Sequence, residues 1–164
     1  MTSSASIAKH PIHPMLVAFP IGLWVFSLIC DFIYRGTTTP IWSDLAFYTI
    51  AGGIIGALLA AVPGLIDLFS LRDRAQKIGI AHMIINLVVV GLYCWNFWLR
   101  STGSHGRAPL ALSVIAVILL AISGWLGGEM VYVYGVAVQP APPEERASPH
   151  PVAPSRPAWE HSSG

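Results

Sequence analysis

Residues 14–34 read PMLVAFPIGLWVFSLICDFIY, and Asp31 is the only charged residue among them. A transmembrane helix needs about 20 mostly apolar residues to cross about 30 Å of hydrocarbon. Three further stretches of this kind follow, at about residues 45–69, 78–99 and 109–135. Main-chain polar groups in lipid must be bonded within their own segment, so these stretches form helices. The sequence therefore predicts an all-α protein, a bundle of four transmembrane helices.

The overall composition agrees with a membrane protein and excludes several other classes. Of 164 residues, 54% are hydrophobic and 10% are charged, whereas soluble domains carry about a quarter charged residues. The net charge of +1 offers no basic surface for nucleic acid. Two cysteines exclude a disulfide scaffold. No Ser/His/Asp triad, phosphate-binding glycine loop or zinc-protease motif is present, so an enzymatic function is not indicated.

The segment after the last apolar run has a different character. Residues 139–164 hold seven of the thirteen prolines and few apolar side chains, so we expect a disordered tail behind a membrane domain at residues 1–138. More basic residues near the helix ends lie on the side of the membrane that holds both termini, among them Lys9, Arg72, Arg74 and Lys77. By the positive-inside rule, both termini are predicted to face the cytoplasm.

Small residues recur every four positions in the second run, at Gly52, Gly56, Ala60 and Gly64, and again at Gly124 and Gly128 in the fourth. Such stripes allow close approach of two helix backbones. The alternative is that they make room for a flat cofactor. Pro63 and Gly64 are also expected to bend the second helix.

Most polar side chains within the spans fall at one depth, whereas Asp31 stands apart near the outer end of the first span. An ionisable residue in a membrane helix is costly and therefore indicates a functional site. Successive helices run in opposite directions, and counting 1.5 Å per residue places these residues near the cytoplasmic ends of all four helices. The set consists of His10, His13, Asp67, His82, Asn86, Glu129 and Tyr132.

The residue types of this layer suit metal chemistry. Imidazole binds iron, copper or zinc, and two histidines from different helices can hold a haem iron on both axial sides. The expected pair is His82 with either His13 or His10. Asp67 or Glu129 could orient a ligand imidazole through its other nitrogen, with Asn86 and Tyr132 beside them. The haem propionates could then meet Arg72, Arg74 and Lys77.

Two other interpretations of the same layer remain open. A transition-metal ion without porphyrin would use the three histidines together with Asp67 or Glu129. Alternatively, no cofactor is bound and the polar groups bond one another, holding the helices in register at about 0.6 kcal/mol per contact. Cys30 and Cys94 lie toward the other side of the membrane, where we expect buried free thiols, with a disulfide as the alternative.

Four segments carry a family resemblance: KHPIHPMLVAFPIGLWVFSLICDFIY, AAVPGLIDLFSL, AHMIIN and SGWLGGEMVYVYGVAV. The chain resembles a bacterial membrane family, domain of unknown function 2231, over about residues 8–138. The resemblance implies a four-helix domain in a bacterial inner membrane and no established activity. Fusions of some relatives to Rieske or cytochrome-type domains imply an association with electron transfer. The family pattern corresponds here to His10, His13, Asp31, Pro63, Gly64, Asp67, His82, Asn86, Gly127, Gly128, Glu129 and Gly135.

Two functional hypotheses follow. The first is a small redox module that binds a b-type haem, or a metal ion, and exchanges electrons with a separate protein partner. The second is a structural or accessory membrane subunit without a cofactor, its polar layer joining the helices. Transport is a third interpretation. The small number of helices and the lack of an evident inverted repeat argue against it. A homo-oligomer is compatible with each.

Overall fold

The computed structural model describes residues 5–7, 10–103 and 106–138. Four helices make up nearly all of this part: α1 (Ile12–Thr37), α2 (Pro40–Ser70), α3 (Asp73–Ser101) and α4 (Arg107–Tyr132). Each is long and apolar enough to span a membrane. The all-α bundle of four transmembrane helices predicted from the sequence is confirmed. The expected disordered tail, residues 139–164, lies outside the described residues.

The helix ends differ from the apolar runs by a few residues. Three helices extend beyond their runs because polar end turns are also helical; Pro40, for example, occupies the first turn of α2, where its missing N–H costs nothing. The fourth helix ends earlier than predicted, at Tyr132. Gly135 then adopts a left-handed backbone with φ of 62°, a conformation that terminates helices and suits glycine.

A short hairpin precedes α1, which the sequence did not predict. Residues Ser6–Ile7 (β1) pair antiparallel with His10–Pro11 (β2). The Ala5 backbone N–H donates to Asp67 Oδ1 at 2.9 Å, and the Ala5 carbonyl accepts from Ile12 N at 3.1 Å. Strands of two residues are too short to leave a sequence pattern, and this pair is held by a side chain near the end of α2.

The glycine stripe of α2 packs against α1, as predicted. A Cβ built on Gly53 would collide with the Trp24 ring, and one on Gly56 would lie 3.2 Å from Pro20 Cδ. Because α1 covers these positions, they leave no room for a flat cofactor. Gly124 of α4, by contrast, has no neighbouring atom within 4 Å of a built Cβ, so packing within the chain does not explain it.

The two helical hairpins, α1–α2 and α3–α4, are repeats of one another. Residues 69 positions apart correspond between α1 and α3, and residues 63 positions apart between α2 and α4, with nearly the same alternation of buried and exposed positions. Pairs from α1 and α3 are His13 and His82, Pro20 and Val89, Gly22 and Gly91, Leu23 and Leu92, Trp24 and Tyr93, Ser27 and Asn96, and Asp31 and Arg100. Pairs from α2 and α4 are Ala46 and Pro109, Ile50 and Ser113, Gly53 and Ala116, Ala60 and Ser123, and Gly64 and Gly127.

Direct contacts between corresponding residues reveal an approximate twofold axis along the bundle. The His13 and His82 rings meet edge to face, Trp24 stacks on Tyr93 with ring centroids 4.3 Å apart, and Asp31 pairs with Arg100. A residue meets its own equivalent only at such an axis. Both repeats run in the same direction, so the relation is that of parallel rather than inverted repeats. Three layers thus follow one another along the axis: the histidine pair, the aromatic pair and the ion pair.

An apolar core separates the two polar ends. Its buried members are Trp24, Ile50, Val89, Tyr93 and Ala116. Outside this core, the helices present large apolar side chains such as Phe19, Leu58 and Trp125, which are 66%, 57% and 78% exposed. A surface of this kind suits lipid rather than water. The bundle therefore has a narrow core with a polar layer at each end.

Candidate functional site

His13 is held at the end of the bundle by α2. Its Nδ1 lies 2.8 Å from the carbonyl oxygen of Ala60. Pro63 has no N–H, so the carbonyl of Leu59 lacks its helical donor and the main-chain ladder is interrupted in the turn that contains Ala60. Gly64 provides the space, because a Cβ there would lie 2.7 Å from His13 Nδ1. The AVPG segment thus shapes the position of the imidazole.

His82 is held in the corresponding way by α4. Its Nδ1 lies 2.9 Å from the Ser123 carbonyl oxygen, and Gly127 faces the ring, with a built Cβ 3.4 Å from Cε1. Asn86 donates from Nδ2 to the His82 carbonyl at 2.9 Å and to Ser123 Oγ at 2.8 Å. In both halves, the imidazole therefore bonds a carbonyl four residues before a glycine.

The two carbonyl contacts favour the same tautomer in both rings; His82 Nδ1 also lies 3.0 Å from Ser123 Oγ, a hydroxyl that can accept the same proton. A carbonyl oxygen only accepts hydrogen bonds, so each Nδ1 must carry the proton. In a neutral ring, Nε2 then holds a lone pair. A metal-bound histidine commonly has this arrangement, with its other nitrogen donating to a carboxylate or a backbone carbonyl. The sequence suggested Asp67 or Glu129 for that task, whereas main-chain oxygens of Ala60 and Ser123 perform it.

The two rings approach each other across the bundle. Their centroids lie 6.3 Å apart, with their planes at 86°. An imidazole nitrogen binds a metal at about 2.0 Å and the ring centre lies about 1.1 Å behind it, so two rings on opposite sides of one ion have centroids about 6.2 Å apart. Of the two pairings expected from the sequence, the structure brings together His82 and His13.

The other residues of the predicted layer have different surroundings. Asp67 accepts the Ala5 N–H, and His10 belongs to the short strand β2 with an exposed side chain. Glu129 is half-buried. Tyr132 is 90% exposed, so it contributes nothing to a buried site. In the described part of the chain, no group of three or more His, Cys, Asp or Glu side chains could hold a metal ion.

A second polar layer lies at the opposite end, and sequence reasoning missed it. Arg100 NH2 donates to Asp31 Oδ2 at 2.6 Å, with side chains 3% and 7% exposed, and Arg100 Nε donates to Asn96 Oδ1 at 2.7 Å. Asn96 Nδ2 donates to Ser113 Oγ at 2.8 Å and to the Pro109 carbonyl at 2.9 Å. Both cysteines are free; Cys30 is buried as expected, but Cys94 is exposed.

With both layers described, comparison with known proteins gives one result. A family model described as predicted membrane protein (DUF2231) matches residues 9–140. The chain belongs to this family. No curated protein and no solved structure matches the chain significantly. The DUF2231 match spans the complete helical bundle, including both repeats, and it assigns no activity to the family.

Proposed function

We propose that this DUF2231 protein is a small membrane redox module that binds one b-type haem between His13 and His82. The observation that carries the proposal is the facing pair of imidazoles, with Nδ1 of each ring donating to a backbone carbonyl and ring centroids 6.3 Å apart. Their spacing equals that of two rings bound to a single metal. Equivalent positions of the two repeats supply the two imidazoles that would hold the iron.

The set of available ligands favours haem over a bare ion. Porphyrin supplies four nitrogens, so a haem iron needs only two axial ligands from the protein. A zinc or copper ion without porphyrin needs three or four protein ligands. The described residues provide no such group around the histidines. Two imidazoles alone therefore suit haem, and they lie between the two hairpins, which pack less closely on each other than the helices within each hairpin.

Each protein group has a definite task in this proposal. His13 and His82 present Nε2 to the iron, and the carbonyls of Ala60 and Ser123 keep both rings in the required tautomer. Asn86 secures Ser123. When bound, the haem supplies reversible one-electron transfer. Exposed Arg72, Arg74 and Lys77 lie around the start of α3, at the same end as the histidines, where they can meet propionates, and the positive-inside rule directs this end to the cytoplasm.

The partner follows from the size of the module. One haem can only pass electrons between a donor and an acceptor, so we propose a separate redox protein that docks at the cytoplasmic end, with the module in the inner membrane of a bacterium. The exposed apolar flanks of the bundle contact lipid.

The second candidate function is an accessory subunit without a cofactor. One observation favours it: each histidine already joins two helices through its carbonyl bond, α1 to α2 and α3 to α4. Contacts of this kind hold helices together without any ligand. The two functions differ in what the loss of one imidazole does, because a haem ligand controls cofactor content whereas a helix contact controls stability alone.

The decisive experiment measures haem and metal content. The protein is expressed with added haem precursor and purified in mild detergent as wild type, His13→Ala, His82→Ala and His10→Ala. We expect one haem per chain in the wild type and in His10→Ala, and loss of at least nine-tenths of it in the other two. Equal haem content in all four proteins, or none in any, would exclude the proposed site and leave the accessory function.

A further inference from the structure

Two buried hydroxyl groups on the helices that carry Asp31 and Arg100 lack partners among the described residues. Ser27 Oγ and Tyr93 OH are fully buried, and neither has a hydrogen bond to any of the residues that the structure describes. An unpaired buried hydroxyl costs about 1–3 kcal/mol, and most such groups in proteins are bonded to an internal water. Each of the two hydroxyls therefore indicates bound water beside it.

Both hydroxyls belong to residues on the side of the ion pair that is nearer the histidines. Ser27 lies one helical turn before Asp31 on α1, and Tyr93 lies two turns before Arg100 on α3, so each shares a face with its charged neighbour. The stack of Tyr93 on Trp24 places the tyrosine against the α1 face that carries Ser27.

A cavity lies between the Asp31–Arg100 pair and the end of the bundle, and its wall includes the ion pair but neither Ser27 nor Tyr93. It has a volume of about 10 Å³ and is lined by Asp31, Tyr34, Arg35, Ser43 and Arg100, with main chain and apolar side chains completing it. About 10–15 Å³ accommodates one water molecule, which needs two to four polar partners. Charged and hydroxyl groups in the wall meet that requirement, so the cavity suits water rather than an apolar ligand.

We propose that water enters the membrane span at the Asp31–Arg100 pair and continues inward, where it bonds the hydroxyls of Ser27 and Tyr93. Seven residues separate Tyr93 from Arg100, so water reaches about 10 Å along the bundle from the arginine, at 1.5 Å per residue. The buried layer of Ile50, Val89 and Ala116 ends the hydrated region before the histidine pair. The bundle thus has water access from the end opposite to the histidines, with a dry barrier between them.

The first test detects water directly. The chain has five tyrosines, and selective ¹³C labelling of tyrosine in protein reconstituted into phosphatidylcholine vesicles allows water-edited solid-state NMR. We expect polarisation from water to reach the Tyr93 ring, assigned by backbone connectivity, within twofold of the rate for a surface tyrosine. A rate as slow as that of the buried Val89 methyls would show a dry pocket and overturn the proposal.

The second test uses the sign of a stability change. If water bonds Tyr93, then Tyr93→Phe removes a satisfied hydroxyl and lowers the melting temperature by about 2–4 °C. If the hydroxyl is dry, its removal leaves the melting temperature unchanged or raises it, which would contradict the proposal. Tyr48→Phe is the matched control, because Tyr48 is 70% exposed and should show no change. Ser27→Ala should lower the melting temperature in the same way, and if Tyr93→Phe does not fold, the NMR result on the native chain decides.

Discussion

Removal of Arg100 should destabilise the bundle severely, because it leaves the buried Asp31 carboxylate without a partner of opposite charge. The guanidinium donates to Asp31 at 2.6 Å and to Asn96 at 2.7 Å, and both acidic and basic side chains are more than nine-tenths buried. Arg100→Met keeps much of the apolar volume but leaves a buried carboxylate without its counter-charge. Breaking a buried pair in this way costs about 3–5 kcal/mol.

The paired substitution should recover most of that loss. Replacing a complete buried pair with apolar residues of similar volume is often neutral or stabilising. In Asp31→Leu/Arg100→Met, the Asn96 oxygen loses the Arg100 donor, which costs about 1–3 kcal/mol, and the Ser113 hydroxyl loses a long contact of 3.4 Å to Asp31 Oδ2. We therefore expect the double variant to be about 2 kcal/mol more stable than Arg100→Met, which reveals strong coupling between the two sites.

The free energy of unfolding in this comparison can be measured by steric trapping in bicelles for the wild type, the two single variants and the double variant. Arg35→Met serves as control, because Arg35 lies at the same end with an exposed side chain and should change stability by less than about 0.5 kcal/mol. Additive effects of the two substitutions, with a coupling energy below about 0.5 kcal/mol, would refute the claim that the ion pair joins the repeats.

Two further substitutions test the packing at other places. Gly53→Ala should destabilise the bundle by about 1–3 kcal/mol, because its methyl group would overlap the Trp24 ring and separate α1 from α2. Gly91→Ala is the control and should be neutral, because open space surrounds Gly91. Equal melting temperatures for the two variants would contradict this packing. Asp67→Ala should release the N-terminal hairpin, which it holds through Ala5, so hydrogen exchange at Ala5 and Ile12 should accelerate at least tenfold while exchange in the middle of α2 stays unchanged. The same acceleration in Asp44→Ala, on the exposed start of α2 at the other end, would argue against a specific role of Asp67.

Composition alone sufficed for the fold class, because apolar segments of more than 20 residues have one stable structure in lipid. The direction of successive helices also predicted that His13 and His82 lie at the same end. Their meeting was not predictable, since helices that are apolar on every side give no pattern from which rotation can be read. The tautomer-fixing partners were missed for a related reason: backbone carbonyls leave no signature in a sequence.

The internal repeat and the ion pair were within reach of the sequence but carried weak signals. Shifting the chain by 69 residues aligns His13, Gly22 and Leu23 with identical residues, yet most other matched positions differ. Asp31 and Arg100 occupy equivalent positions with opposite charges, so similarity between the repeats conceals their pairing. Contacts across the axis made the correspondence visible.

The most direct test of the redox proposal is an absorption spectrum of the purified protein, recorded oxidised and then after reduction with dithionite. A haem iron held by two imidazoles is low-spin, so we predict a Soret band and sharp α and β bands on reduction, all lost in His13→Ala and in His82→Ala. A featureless visible spectrum after expression with added haem precursor and after titration with haem in detergent would contradict the account. The paired histidines would then be contacts that hold the helices of each repeat together.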